Sequence, residues 1–152
     1  MELTPEIRKA MDESVLCWLA TAEPDGTPNV SPKEVFAPFG TDRILIANIA
    51  SPQSVRNIRS NPRVCVSFID ILVQKGYQLK GMARIVGKTD PGFPNMEAIL
   101  LPKTEGKFPF ATVTEFRPET AKPILAPSYL LFPETTEAEQ REIAIRTYGL
   151  RK

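Results

Sequence analysis

Apolar residues in this chain fall into short, closely spaced runs: VLCWLATA (15–22), ILIANIA (44–50), VCVSFIDI (64–71), YQLKGMARIVG (77–87) and ATVTEFRP (111–118). Runs of this length bounded by glycine, proline and aspartate read as strands. The turns between them carry matching chemistry: EPDG with Gly26 at its last position, GTDR, and LVQKG. Two further segments look extended, PNVSPKEVFAPF (28–39) and AKPILAPSYLLF (121–132); in the first, Pro32 and Pro38 restrict the chain to an edge or to bulged positions.

Helical signals are fewer. TPEIRKAMDES (4–14) has Thr4 as a cap and Pro5 at the first position, and Ser51-Pro52 opens a second helix over 52–60. TEAEQREIAIRTYG (136–149) closes the chain, with Thr136 and Glu139 as a capping box and Glu137/Arg141 and Glu142/Arg146 as pairs four apart. One short helix is expected near 95–101, inside a loop-rich stretch. Many short strands with turn residues between them indicate a mainly β fold, an antiparallel barrel or sandwich with flanking helices. Fifteen prolines, several inside strand patterns, suit a barrel with interrupted edges.

Length and charge narrow the picture. The 152 residues fit a single domain, 1–152, with an adequate core. With 19 basic and 18 acidic residues the chain lacks the basic excess of a nucleic-acid binder. No apolar run is long enough to span a membrane and Met1-Glu2 is no basic leader start, so a cytoplasmic protein is expected. There is no histidine, which removes Ser-His-Asp triads, Cys-His pairs and most zinc sites, and no metal site is expected. Cys17 and Cys65 read as buried, inert thiols, and Trp18, in a nearly continuous apolar run, as core.

The chemistry concentrates in two stretches, NVSPK (29–33) and ANIASPQS (47–54). If the turn FGTDR folds them into an antiparallel pair, Ser31, Lys33, Asn48, Ser51, Gln53 and Ser54 surround one spot. A helix start offers unpaired N–H groups, and with an ammonium it suits a phosphate. The alternative reading is that these residues cap the helix and face water. Arg56 and Arg59, opposite Val55 and Ile58, read as a solvated face, while Lys75 and Lys80 are further candidate anion contacts.

LATAEPDGTPNVSPKEVF, then ILIANIASPQSVRNIRSNPRVCVSF, then LKGMARIV resemble the FMN-binding split-barrel family, the pyridoxamine 5′-phosphate oxidase-like proteins, from about Val15 to Val86. The resemblance implies a six-stranded antiparallel split β-barrel and a homodimer with FMN at the subunit interface. It implies that Asn29, Val30, Ser31, Pro32 and Lys33 run along the isoalloxazine ring. Ala47, Asn48, Ile49, Ser51, Gln53 and Ser54 would hold ring edge, ribityl chain and phosphate, and the loop of Lys75 or the segment around Tyr129 would close the site from the second subunit. Two departures stand out. Relatives often carry Lys or Arg just after the serine, where this chain has Pro52 and Gln53, and it lacks the Trp- and Arg-rich C-terminal segment of true pyridoxamine phosphate oxidases.

The expected protein is therefore an FMN-dependent oxidoreductase acting on a small-molecule substrate or electron donor. No residue is nominated as acid or base; protons come from solvent, with Lys33 and Tyr129 as side-chain alternatives. A non-catalytic flavin-binding or storage protein, and a relative binding deazaflavin or haem, remain as alternatives.

Overall fold

The computed structural model of the protein describes residues 1–150, so the last two residues of the domain expected over 1–152 lie outside the described residues. Seven strands form one antiparallel sheet: β1 (Cys17–Ala22), β2 (Pro28–Lys33), β3 (Phe36–Phe39), β4 (Arg43–Ala47), β5 (Arg63–Asp70), β6 (Lys75–Gly87) and β7 (Thr112–Leu125). Their spatial order is β2-β1-β5-β6-β7-β4-β3. The edge strands β2 and β3 are thus consecutive in the chain, separated only by Glu34 and Val35. Two residues reach no more than about 7 Å beyond a strand end. The sheet must curl until its edges nearly meet, which makes a barrel split between β2 and β3.

The split-barrel type agrees with expectation, but there are seven strands rather than six. The extended segment 28–39 breaks at a bend at Glu34, and its halves pair with different neighbours, β2 with β1 and β3 with β4. Pro32 and Pro38 both sit in edge strands, where a missing N–H breaks no inner ladder. The two late strands expected over 111–118 and 121–132 are instead one strand, β7, followed by a helix at Pro127–Leu131. A register shift at Lys80/Gly81 absorbs an extra residue, so β7 runs through Pro118 alongside β6, and Pro127 then starts a helix. Lys75, expected in a loop, is the first residue of β6.

Helices α1 (Pro5–Glu13), α2 (Pro52–Ser60), α3 (Phe93–Leu100), α4 (Pro127–Leu131) and α5 (Glu137–Thr147) flank the sheet. Thr4 caps α1 through Ile7 N–H at 3.3 Å, and the Thr136/Glu139 capping box of α5 is formed. Glu137 binds Lys75 at 2.9 Å rather than Arg141. Among the described residues no helix is long and apolar enough to cross a membrane.

Strand β4 explains the apolar run ILIA, because both of its faces are covered. Ile44 and Ile46 join Leu19, Val66, Phe68 and Phe116 inside the barrel, while Leu45 and Ala47 pack with Phe93, Met96 and Leu100 under α3. On that outer face the buried carboxylate of Glu115 accepts from Arg43 at 2.6 Å and from Arg84. Strand β1 corrects the expectation for Trp18: Cys17 and Leu19 point inward and are fully buried, so the two-residue period turns Trp18 outward, 45% exposed.

Two glycines are fixed by close backbone approach. A Cβ on Gly76 would press into the Phe68 carbonyl, and one on Gly81 into the Arg117 carbonyl at the register shift. Gly76→Ala and Gly81→Ala are each expected to lower stability by roughly 1–3 kcal/mol or more, whereas Gly87→Ala, with open space around it, is expected to be neutral. Urea titration of the three variants checks this; a Gly81→Ala midpoint equal to that of Gly87→Ala would contradict the account.

Candidate functional site

β4 ends at Ala47 and α2 starts at Pro52, and the link between them is tight. Ala50 takes φ +50, a left-handed conformation that costs a non-glycine residue of order 1 kcal/mol or more. Ser51 occupies the N-cap position but makes no side-chain cap bond, contrary to the expected cap. Its hydroxyl donates to the Ile49 carbonyl at 3.0 Å and accepts from Lys33 Nζ. The first-turn N–H groups of Gln53 and Ser54 have no carbonyl one turn back to pair with.

Opposite this helix start, the alternation of β2 turns Asn29, Ser31 and Lys33 to one side and Pro28, Val30 and Pro32 to the other. Ser31 Oγ lies 3.1 Å from Ser54 Oγ, and Ser54 is buried. Lys33 is 5% exposed, and among the described residues no carboxylate forms an ion pair with it. Burial lowers its pKa below the ordinary lysine value, a shift that Cys17 beside it partly opposes. The same burial pushes the Cys17 thiol up to about 12, so it is protonated and inert at neutral pH.

Stretches 29–33 and 47–54 therefore do meet, though not as the strand pair expected through FGTDR. That turn joins β3 to β4, and the contact runs across the split, between the end of β2 and the start of α2. Not every expected residue offers its side chain there. Gln53 is committed at both ends, donating to Asn57 at 2.8 Å and Glu23 at 3.3 Å and accepting from Arg56 at 2.7 Å. Asn48 bridges Thr112 at 3.2 Å and Thr114 at 2.9 Å, pinning the end of β4 to β7. Val30 is exposed on the outward side.

Lys75 stands apart from this set within the chain, with Glu137 and over the Tyr129 ring at 4.6 Å, while Tyr129 donates to the Val73 carbonyl at 2.7 Å. Arg56, Arg59 and Lys80 are exposed.

Two partners were missed in the sequence. Asn57, 2% exposed, donates to Thr21 at 3.0 Å and so ties α2 to β1. Helical spacing contained that signal: the buried face of α2 is Ser54, Asn57 and Ile58, with Val55 only half-buried. The other is Phe108, far along the chain, which lines a cavity of about 330 Å³ together with Lys33, Pro32, Ala47 and Ile49. Nothing local in the sequence pointed to it.

A buried ammonium on Ser51, with Ser31, Ser54 and a helix start close by, is a set of donors whose chemistry suits an anion. The sequence profile of the pyridoxamine 5′-phosphate oxidase family matches residues 3–125. Among proteins of curated function none matches the sequence. The fold is similar to that of HupZ from Group A Streptococcus, at 20% identity and a TM-score of 0.67 over 78% of this chain and 90% of that one. It is similar also to an FMN-binding protein from Syntrophomonas wolfei (14% identity, TM-score 0.64, 82% and 87% covered) and to an F420 reductase (23% identity, TM-score 0.58, 78% and 98% covered).

A lone buried charge destabilises the ligand-free chain. Lys33→Met is expected to raise its stability by on the order of 1–3 kcal/mol. The wild type's deficit is full below the lowered Lys33 pKa and shrinks as pH rises through it toward the ordinary lysine value, where the unfolded chain also loses the proton. Thermal melts of both proteins from neutral to alkaline pH check this; a gap that widens with pH would contradict it.

Proposed function

The chain belongs to the pyridoxamine 5′-phosphate oxidase family, and on that premise we propose that it is a flavoprotein that binds FMN and serves as an oxidoreductase on a small molecule. The observation that carries this reading is the buried, carboxylate-free ammonium of Lys33 beside Ser31, Ser51, Ser54 and the start of α2. Those residues fit a phosphate: the ammonium supplies charge, while the hydroxyls and the N–H groups of Gln53 and Ser54 supply donors. Asn29–Lys33 and Ala47–Ile49 would run along the ring and its edge. The side chains of Gln53, Asn57 and Thr21 hold the helix start in position, and of Gln53 only the backbone N–H would meet the cofactor. When bound, FMN supplies hydride or electron transfer through N5 of its ring.

No histidine stands at the site, and the buried thiol of Cys17 keeps its proton, so solvent remains the proton source in this reading. The missing base at Pro52 and Gln53 shifts the work of phosphate binding onto Lys33 and the hydroxyls. One chain covers the ring from one side, and a second copy is proposed to cover the other, as a closed two-fold homodimer. Both cysteines are free, which suits a reducing, cytoplasmic compartment.

Equilibrium titration with FMN, riboflavin, FAD and a deazaflavin tests the reading. FMN is expected to bind most tightly, and equal affinity for riboflavin would remove the phosphate role of Ser51–Ser54. Lys33→Ala is expected to weaken FMN by roughly 1.5–3 kcal/mol, and Arg59→Ala, whose side chain is exposed, to leave it nearly unchanged. For the dimer, sedimentation across a dilution series is followed at the flavin band. Flavin loss is expected to accompany dissociation, and a monomer that keeps full occupancy would end the interface proposal.

A further inference from the structure

Away from Lys33, α1 packs over β5 and β6 and sends Ile7 and Met11 into the barrel core. Ala10, on the same helix, is only half-buried, and its short side chain leaves a groove open beside it. The groove, of about 240 Å³, runs between α1 and the ends of β6 and β7, and the start of α5 borders its third side. Its floor is apolar, made by Ala10, Val73, Tyr77 and Ile124, with the Tyr77 ring tilted against Phe68 at 6.4 Å between centres. Drug-sized pockets run from roughly 300 to 1,000 Å³, so only a small molecule fits here.

The charges around this floor do not balance. Glu6, Glu13 and Glu137 face Lys9 and Lys75. Lys75 is taken: it binds Glu137 at 2.9 Å, lies over the Tyr129 ring at 4.6 Å, and its hydrogen bond holds the Glu137 carboxyl below the ordinary carboxylate range. Lys9 and Glu13 stand 4.0 Å apart and both are exposed, so their attraction is weak. Glu6 has no ion-pair partner among the described residues. Spacings of four and three put Glu6, Ala10 and Glu13 on one stripe of α1, with the two carboxylates on either side of the open position. One negative charge is therefore left over beside an apolar floor. None of these residues belongs to the cluster at Lys33. Lys75 is the one that the family resemblance assigned to a flavin, and its ammonium is engaged by Glu137.

We propose that this groove binds a small primary amine with an apolar body, its ammonium between Glu6 and Glu13 and its body on Ala10, Tyr77 and Ile124. The floor holds the body whatever charge it carries, and the surplus carboxylate selects a cation over a neutral or anionic analogue. The inference is independent of the flavin reading.

The test titrates the purified chain by calorimetry with 2-phenylethylamine, 2-phenylethanol and 3-phenylpropionate, with flavin content read separately by absorbance. The amine is expected to bind several-fold more tightly than the alcohol, and the carboxylate most weakly. Glu6→Gln and Glu13→Gln are each expected to weaken the amine by about two- to fivefold and to leave the alcohol unchanged. Ala10→Leu is expected to abolish binding of both by filling the groove, with FMN uptake unaltered. Equal binding of the three compounds, no binding of the amine, or amine binding indifferent to both glutamine variants overturns the proposal. So does amine binding that survives Ala10→Leu in a variant that melts like the wild type; should that variant not fold, the two glutamine variants decide. A fall in FMN uptake in Glu6→Gln also overturns it, since the groove would then belong to the flavin. Amine binding with the expected dependence in a protein that takes up no flavin supports the groove and overturns the flavin reading instead.

Discussion

The two edge strands of the sheet follow one another in the chain with only Glu34 and Val35 between them, and the barrel is curled because so short a link leaves no other way to join its edges. From that constraint the site follows. β3 leaves the link, β4 returns antiparallel to it, and Ala47 N–H reaches the Val35 carbonyl at 3.0 Å. Whatever comes after Ala47 is thereby delivered beside Lys33 at the end of β2. The strained Ala50 and the start of α2 are what comes after. Residues 18 apart in sequence, Lys33 and Ser51, touch because two strands spend the intervening length going out and back.

Around that meeting point the chain divides its polar residues into two kinds. Asn57, Gln53, Thr21, Asn48 and Thr114 satisfy one another and hold the elements in register. Lys33 has only a hydroxyl, where a buried ammonium ordinarily has a carboxylate. The outer face of β7 offers the contrast: buried Glu115 is matched by Arg43 and Arg84, and Arg84 also holds Asp90 at 2.8 Å. The same fold pairs the charge of Glu115 with two guanidinium groups on its outer face and leaves the ammonium of Lys33 without a carboxylate beside the split.

Signals confined to a few neighbouring residues were legible in the sequence. Thr4, the Thr136/Glu139 box and the Ser51-Pro52 start mark α1, α5 and α2 because caps and first-turn prolines act within one helical turn. The misreadings share a cause in tertiary structure. Trp18 depends on which side of β1 faces the barrel, the break at Glu34 on which neighbour each half pairs with, and the continuity of β7 on the length of β6. At the candidate site, residue types pointed to the cluster of Ser31, Lys33, Ser51 and Ser54 that the fold brings together, but hydrogen-bond partners decide who is free. The side chains of Gln53 and Asn48 bond to neighbouring residues of the scaffold, Lys75 lies apart within the chain beside Glu137, and Phe108 arrives from a segment with no local mark.

On the proposed reading, the unmatched ammonium would also tie the abundance of the protein to its ligand supply. An anion that pairs with Lys33 in the folded state, and not in the unfolded chain, stabilises the fold in proportion to the logarithm of its free concentration. When such a ligand is scarce, the folded population thins and more chain is open to proteases at any moment. A single lysine placed without a carboxylate would thus let the cell clear the empty protein and keep the loaded one, with no regulatory domain and no covalent mark.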